Sequence, residues 1–153
     1  MTNFATQRWR GVNLGGWLVL EKWMTPSLFD GLQAEDETAW CLEMGEQATP
    51  RLHRHWQTFI TAEDFAWLAE IGINAVRIPV GHWLFGAGYP YHPAYGDQHF
   101  PYVEGGLRIL DQAMVWAEQY GLAVMLDLHA APGCQNGFDN GGIKDVCDWQ
   151  TLA

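Results

Sequence analysis

The side chains best suited to chemistry follow an apolar run near the end of the 153-residue chain. This run, residues 122–128, is interrupted only by Asp127, and His129 comes directly after it. Carboxylate, imidazole and amide groups can bind a polar ligand or exchange protons with it. A polar, glycine-rich segment then supplies further candidates, namely Gln135, Asn136, Phe138, Asp139 and Asn140.

The apolar run predicts a strand that is buried on both faces, because it is short and bounded by turn residues. Strands of this kind belong to parallel sheets covered by helices, in which ligands bind beyond the carboxyl ends. His129 and the segment after it would lie at that end. Asp127 is two residues before His129, so its side chain points to the same face of the sheet.

A cation interrupts a second apolar run, residues 73–78, which we predict to be a strand that Pro79 ends. A charge there is costly unless it is paired. Arg77 would therefore form a structural ion pair with an acid elsewhere, or it would hold a carboxylate in a site at the carboxyl end of the strand. We favour the second interpretation.

Glu21 follows a third apolar stretch, after a predicted first strand at residues 10–14. It is either a surface residue or part of a cleft between Trp17 and Trp23, and the sequence leaves both open. Aromatic residues make up 14% of the chain. They would fill a heavy core or stack on sugar rings, and the two interpretations are evenly balanced for Trp17, Trp23, Trp83, Phe85, Tyr89, Tyr91, Tyr95 and Phe138.

Helix signals lie between the predicted strands. Thr49 and Pro50 predict the start of a helix to about residue 59, in which we expect His53 and His55 to face solvent. Thr61 predicts the cap of another, which Gly72 ends. The remaining segments are a helix at 104–120 ended by Gly121, a loop with one helical turn at 30–47, and a long aromatic loop at 81–102.

This order of elements, with two helical crossovers between parallel strands, predicts an α/β fold and is typical of a (β/α)₈ barrel. A doubly wound sheet shares much of the layout, but no GxGxxG or phosphate-binding loop follows a strand. The net charge of −10 argues against a nucleic-acid partner. No apolar run is long enough to span a membrane.

The chain begins without an apolar leader, so we expect a cytoplasmic protein if residue 1 is the true start and a secreted one otherwise. Three cysteines match no zinc pattern and are expected to be reduced thiols.

Three motifs together resemble glycoside hydrolase family 5, and in particular its fungal-type exo-β-1,3-glucanase branch. They are RGVNLGGW at residues 10–17 with LE at 20–21 and MTPSLF at 24–29, NAVRIPVGHW at 74–83, and DLHAAPGCQNGFDNGG at 127–142. The resemblance implies a TIM barrel that hydrolyses β-glucans with retention, without metal or organic cofactor, using two glutamates.

The resemblance also implies residue roles. Arg77 would support the catalytic nucleophile, and His129 would line the subsite of the scissile sugar. Glu21 and Asn140 would bind sugar hydroxyls, and Trp23 would stack on a sugar. Phe138 would stand at the pocket entrance, and Asp139 is a candidate sugar ligand.

The sequence departs from the family in one important respect. It contains no Asn-Glu-Pro motif, so both catalytic glutamates are expected beyond residue 153. We therefore expect residues 1–153 to be the N-terminal part of one barrel domain, ending after its third strand and inactive alone. Its open sheet edges would favour self-association.

Two other functions compete with the enzyme-fragment hypothesis. One is a non-catalytic glycan-binding module that uses the same pocket residues. The other is a metal-dependent barrel hydrolase using some of the six histidines, which is disfavoured because no His-x-His ends the first strand.

Overall fold

A parallel three-stranded sheet is the centre of the structure. The computed structural model describes residues 8–85 and 101–150. The strands Gly11–Asn13 (β1), Ala75–Gly81 (β2) and Ala123–Ala130 (β3) are hydrogen-bonded in the order β1–β2–β3. In the backbone register, Arg77 lies between Asn13 and Met125. Because all strands run the same way, their carboxyl ends meet at one edge.

The strands are connected by helices. Three α-helices stand between β1 and β2: Glu37–Met44 (α1), Ala48–Thr58 (α2) and Ala62–Glu70 (α3). The helix Gly106–Tyr120 (α4) stands between β2 and β3. Short 3₁₀ turns occupy Pro26–Leu28, Gly45–Gln47, His82–Phe85 and Asp139–Gly141. Strands that are neighbours in sequence are neighbours in the sheet, as in the first units of a (β/α)₈ barrel, so this predicted layout is confirmed.

The core lies between the helices and one face of β2. Val76, Ile78 and Val80 are buried at every second position of the strand, as strand geometry requires of residues that share a face. On α4 the buried positions include Leu110, Ala113 and Ala117. Arg77 lies on the opposite face of β2, away from this core.

The predicted ends of two helices are confirmed. Thr61 and Asp64 form a capping box, with the Thr61 backbone N–H donating to Asp64 Oδ2 at 2.8 Å. Gly72 and Gly121 follow α3 and α4 with φ of +85° and +69°, values that L side chains rarely adopt. The predicted cap at Thr49 is wrong, because the 3₁₀ turn Gly45–Gln47 leads directly into α2.

A full helix, α1, replaces much of the loop predicted for residues 30–47. Asp36 is its N-cap, and Asp36 Oδ1 accepts a hydrogen bond from the Ala39 N–H at 2.7 Å. Trp40 and Cys41 then bury one side of the helix in the core. Tertiary packing thus stabilises a helix whose sequence lacks a strong amphipathic pattern.

Pro79 lies inside β2 and does not end it, which corrects the prediction. The β1 ladder stops at the Asn13–Arg77 pair, and Pro79 pairs with Asp127 on the β3 side. A missing N–H is tolerated where a strand lacks a continuous neighbour on one side. The strand then shows an irregularity in its pairing between Val80 and Gly81.

The prediction that the last strand is buried on both faces is also wrong. Met125 is 64% exposed and Leu128 is 57% exposed. Within residues 8–85 and 101–150, β3 pairs only with β2, so it is an edge strand, and Met125, Leu126 and Leu128 are exposed while Val124 and Ala130 still pack against the core clusters. No described helix is long and apolar enough to cross a membrane.

Candidate functional site

Arg77, Asp127 and His129 form one polar cluster. Arg77 is in the first half of β2, not at its carboxyl end as predicted, whereas Asp127 and His129 are in the second half of β3. Arg77 Nη2 donates to Asp127 Oδ2 at 2.6 Å. His129 Nδ1 lies 2.9 Å from the same oxygen. Asp127 was predicted to share a face of the sheet with His129, and this is confirmed.

The cluster defines the tautomer of His129. An ionised Asp127 only accepts hydrogen bonds, so Nδ1 of His129 holds the proton and donates it. Arg77 Nη2 and His129 Nδ1 lie 3.0 Å apart because both donate to the same acceptor, Asp127 Oδ2. In this neutral form, His129 Nε2 accepts from Asn140 Nδ2 at 2.9 Å.

Asn140 is the last residue in the series of hydrogen bonds that runs from Arg77 through Asp127 and His129, and its Oδ1 is an unused acceptor. Its Oδ1 is buried and has no hydrogen-bond partner among the described residues. A buried polar oxygen without a partner is costly, and in most folded proteins such an atom meets a donor. The position is therefore chemically suited to a hydroxyl group that donates.

Asn13 is a member of the site that sequence reasoning missed. Its Oδ1 accepts from Arg77 Nη1 at 2.7 Å, so both terminal nitrogens of the guanidinium group are engaged. Asn13 is the last residue of β1 and lies directly opposite Arg77 in the register. Its position, a polar residue at the end of the first predicted strand, could have indicated this role.

Arg77 borders an open cleft beside the sheet. The cleft has a volume of about 500 Å³ and is lined by Trp9 and the first three residues of each strand, so that of the three cluster residues it reaches Arg77 alone. Asn13, Arg77 and Met125 are side by side in the register, so their side chains share the face opposite the helix-packed core. Arg77 is thus paired and also reachable from solvent.

Glu21 and Trp23 form a second pair after β1. Glu21 is buried, and its Oε2 accepts from the Trp23 indole N–H at 3.1 Å. The Trp23 ring is 72% exposed. Glu21 is therefore not a solvated surface residue. It orients an exposed aromatic ring.

The aromatic residues divide into two groups. Trp17 and Trp83 are buried, so neither is a stacking surface, and the sugar-stacking interpretation is wrong for both. Trp23, Phe85 and Phe138 are exposed, Phe138 by 66%. Tyr89, Tyr91 and Tyr95 lie outside the described residues.

The segment that bears Asn140 is held to the end of β3 by backbone contacts. Gln135 Nε2 donates to the His129 carbonyl at 2.7 Å, and Gln135 Oε1 accepts from the Ala131 N–H at 3.0 Å. Cys134 is buried, and a Cβ at Gly141 would overlap its sulfur. Close packing of Cys134 on Gly141 thus places the 3₁₀ turn Asp139–Gly141, which contains Asn140.

Asp139 begins this 3₁₀ turn and is partly exposed, and its carbonyl accepts from the Gly142 N–H at 3.0 Å. Asp139 therefore directly precedes Asn140 in the same turn. No described contact joins the Asp139 carboxylate to Arg77 or His129. Its role as a sugar ligand stays a prediction.

The other polar candidates have structural partners. His55 was expected to face solvent but is buried, with Nε2 2.8 Å from the Gly16 carbonyl, and burial lowers its pKa. His53 is partly buried, and its Nε2 lies 2.8 Å from the Glu104 carbonyl oxygen, so it faces solvent only in part. Cys41, Cys134 and Cys147 are free thiols, as predicted. No group of three or more potential metal ligands occurs in the described part of the chain.

A family model described as cellulase (glycosyl hydrolase family 5) matches residues 38–152. The chain belongs to glycosyl hydrolase family 5. This confirms the family inferred from the three motifs, and the family's barrel explains the parallel sheet with its helical crossovers.

Two curated relatives within the family come from fungi. The probable glucan 1,3-beta-glucosidase A of Emericella nidulans is 52% identical over 154 residues, which cover 97% of this chain and 36% of that protein. The glucan 1,3-beta-glucosidase of Blumeria graminis is 47% identical, with 97% and 34% covered. The chain thus spans about a third of the length of these curated relatives.

A solved structure shares the fold. The rutinosidase from Aspergillus niger superposes with a TM-score of 0.79 at 28% identity, covering 99% of this chain and 42% of that one. The family 5 fold therefore extends over nearly the whole chain, including the segments that bear Glu21, Arg77 and His129.

Proposed function

We propose that the polypeptide to which these residues belong hydrolyses the β-glucosidic bonds of β-glucans with retention, and that residues 1–153 form the N-terminal part of its single catalytic barrel. Support for the substrate class comes from the fungal relatives, which are named glucan 1,3-beta-glucosidases. Retention needs two carboxylates about 5–5.5 Å apart. We expect both glutamates outside this chain, which alone would then be inactive.

The observation that supports a sugar pocket best is the line of contacts from Arg77 to Asn140. It ends on a buried acceptor, Asn140 Oδ1, that has no partner among the described residues. Sugar hydroxyls donate hydrogen bonds, and such a site discriminates strongly for a ligand that satisfies it. Asn140 would bind one hydroxyl, and His129 would line the same subsite.

The remaining residues have complementary roles in this proposal. Arg77 would support the nucleophile through its positive charge at the open face of the sheet. Glu21 would bind sugar hydroxyls with its free lone pairs and orient Trp23 as a stacking surface. Phe138 would contact sugar at the entrance, and Asp139 would add a carboxylate ligand beside it.

Asp127 is a poor candidate for the nucleophile. Its Oδ2 already accepts from Arg77 and His129. Two short contacts to one oxygen stabilise the charge and reduce its availability for attack. We assign Asp127 a positioning role, in which it fixes the tautomer of His129.

The chain by itself is expected to self-associate. Leu126 and Leu128 are exposed apolar residues of β3, which is an edge strand within the described part of the chain. Exposed edges and apolar patches favour pairing with another chain.

The test uses a chimera in which residues 1–153 replace the matching segment of the Emericella nidulans relative. We expect it to release p-nitrophenol from a β-glucoside, whereas the 153-residue chain alone releases none. Arg77→Met should abolish activity of the chimera, and Arg108→Met, on the exposed side of α4, should not.

A folded chimera without activity would contradict the proposal. A chain that binds laminaribiose while its folded chimera fails to hydrolyse would instead support the non-catalytic glycan-binding module.

A further inference from the structure

The first residues of α1 contact all three segments that follow the strands. Leu20, after β1, donates its N–H to Glu37 Oε2 at 2.7 Å. Trp83, after β2, donates its indole N–H to Glu37 Oε1 at 3.1 Å. Gly142, after β3, accepts from Thr38 Oγ1 at 2.6 Å. A single turn of helix thus joins three loops that are far apart in sequence.

We call this set of contacts the junction, and Glu37 is its central residue. Its side chain is fully buried, and each carboxyl oxygen accepts one hydrogen bond from a different loop. A buried carboxyl group is tolerated only where its oxygens are satisfied. The separation between Leu20 and Trp83 is therefore set by the width of one carboxyl group.

The capping role on α1 belongs to another residue. Asp36 is the N-cap, and its two oxygens accept from the Ala39 N–H at 2.7 Å and the Lys144 N–H at 2.9 Å. Both described hydrogen bonds of Glu37 point away from its own helix. Helix capping therefore does not explain the identity of Glu37.

Trp83 also links the junction to the loop after β3. The Trp83 and Tyr102 rings stack at 4.2 Å with an interplanar angle of 4°. The Tyr102 hydroxyl lies 2.6 Å from Thr38 Oγ1. A Cβ at Gly142 would meet the Trp83 ring at about 2.5 Å, so only glycine allows the loop after β3 to lie this close.

Two of the three loops held by the junction bear residues of the proposed pocket. Leu20 directly precedes Glu21, which holds the exposed Trp23 ring. Gly142 follows Asn140 by two residues, in the turn placed beside His129. A shift of the junction would move both pocket walls.

We propose that Glu37 is a positioning residue for the sugar pocket, whose buried carboxyl group fixes the loop of Glu21 and Trp23 relative to Trp83 and, through the adjacent Thr38, to the loop of Asn140. The expected effect of Glu37 on sugar affinity rests on the proposed function. The effect of Glu37 on the positions of the loops does not, because it concerns contacts within the free chain.

The experiment records ¹⁵N–¹H indole resonances of the 153-residue chain, assigned by single Trp→Phe variants. Glu37→Gln replaces one acceptor oxygen by an amide nitrogen that cannot accept a hydrogen bond. The Trp83 resonance should shift because its partner changes. The Trp23 resonance should shift as well, although the indole of Trp23 bonds to Glu21, not to Glu37.

Two control variants separate positioning from stability. Glu43→Gln changes another acceptor on α1, which accepts from the Gln33 and Ala34 N–H groups. Thr61→Ala removes the cap of α3 and destabilises the fold elsewhere. Both should leave the Trp23 resonance unchanged. Trp83→Phe keeps an aromatic ring against Tyr102 but removes the hydrogen bond to Glu37, so it should also shift the Trp23 resonance. It is the substitute variant if Glu37→Gln does not fold.

The same samples are then titrated with laminaribiose. Glu37→Gln should weaken its affinity about tenfold, a loss typical of one misplaced hydrogen bond. A Trp23 resonance identical to wild type in both Glu37→Gln and Trp83→Phe would overturn the positioning role. If Trp23 shifts but neither the wild-type chain nor the folded chimera binds laminaribiose, the positioning role stands and the proposed pocket fails.

Discussion

Arg77 and Asp127 form a diagonal ion pair across β2 and β3. In the backbone register Arg77 is opposite Met125, and Asp127 is opposite Pro79, yet Arg77 Nη2 lies 2.6 Å from Asp127 Oδ2. The guanidinium group therefore reaches two residues toward the carboxyl ends. The pair agrees with the first interpretation of Arg77, a structural ion pair, and it brings the charge beside His129. The second interpretation, that Arg77 holds a carboxylate of a functional site, stays a prediction.

Replacing Asp127 should disturb both of its partners. Asp127→Asn removes the charge opposite Arg77 and offers His129 Nδ1 a weaker acceptor. Because the pair is partly exposed, we expect a loss of only about 1 kcal/mol in the free energy of unfolding. Urea denaturation measures this loss, with Asp111→Asn on the exposed side of α4 as the matched control.

The ring nitrogens of His129 report on the same change. ¹⁵N chemical shifts should show the Nδ1–H tautomer in the wild-type chain and a mixture in Asp127→Asn. A wild-type chain with the proton on Nε2 would contradict the assigned network.

Removing the unused acceptor of Asn140 should affect sugar binding more than folding. Asn140→Ala loses Oδ1, which has no described protein partner, and one hydrogen bond to His129. We expect about tenfold weaker binding of laminaribiose by calorimetry, with a change in unfolding free energy below about 1 kcal/mol. Gln112→Ala, exposed on α4, is the control. Equal affinity in wild type and Asn140→Ala would remove Asn140 from the pocket.

The buried Glu37 should make the fold less stable as the pH rises. Burial raises the pKa of Glu37 from 4.5 to about 8, Asp36 adds to the rise, and the bonds from Leu20 and Trp83 oppose it. Between these pH values the folded chain holds a proton that the unfolded chain has lost. This stabilisation is complete below pH 4.5 and is lost toward pH 8, with a slope of up to about 1.4 kcal/mol per pH unit.

Denaturant unfolding of wild type and Glu37→Gln at a series of pH values checks this slope. The variant should show a flatter profile. Burial also raises the pKa of the neighbouring Asp36 and of the Cys41 thiol and lowers that of His55 and His82, but these groups remain in both proteins. Glu43→Gln should retain the wild-type slope. Parallel profiles for wild type and Glu37→Gln would refute the prediction.

Charging the exposed edge should reduce self-association. Leu126→Lys with Leu128→Lys places two cations on β3, and like charges oppose pairing of strands from two chains. Sedimentation velocity should show a smaller oligomer fraction than wild type at the same concentration. Trp67→Lys on α3 removes an equally exposed apolar side chain away from the edge. A wild-type chain that is monomeric throughout would contradict the proposed self-association.

The sequence alone determined the elements whose signals are local. The strand that bears His129 follows from an apolar run, and the capping box of Thr61 and Asp64 follows from side chains that cap helices. The ends of α3 and α4 follow from glycine, the residue that best tolerates a positive φ. Each depends on residues within a few positions of one another. The three long motifs also determined the family, because their order and spacing are written in the chain itself.

Only the tertiary structure decided the relationships between distant residues. The burial of His55 and Glu37, the pairing of Asn13 with Arg77, and the exposure of β3 depend on which segments become neighbours. Pro79 is tolerated in β2 because the β1 ladder stops at Asn13, and no local pattern at residue 79 shows this. A hydrogen bond needs two partners at one distance, and the sequence specifies each partner without specifying that distance.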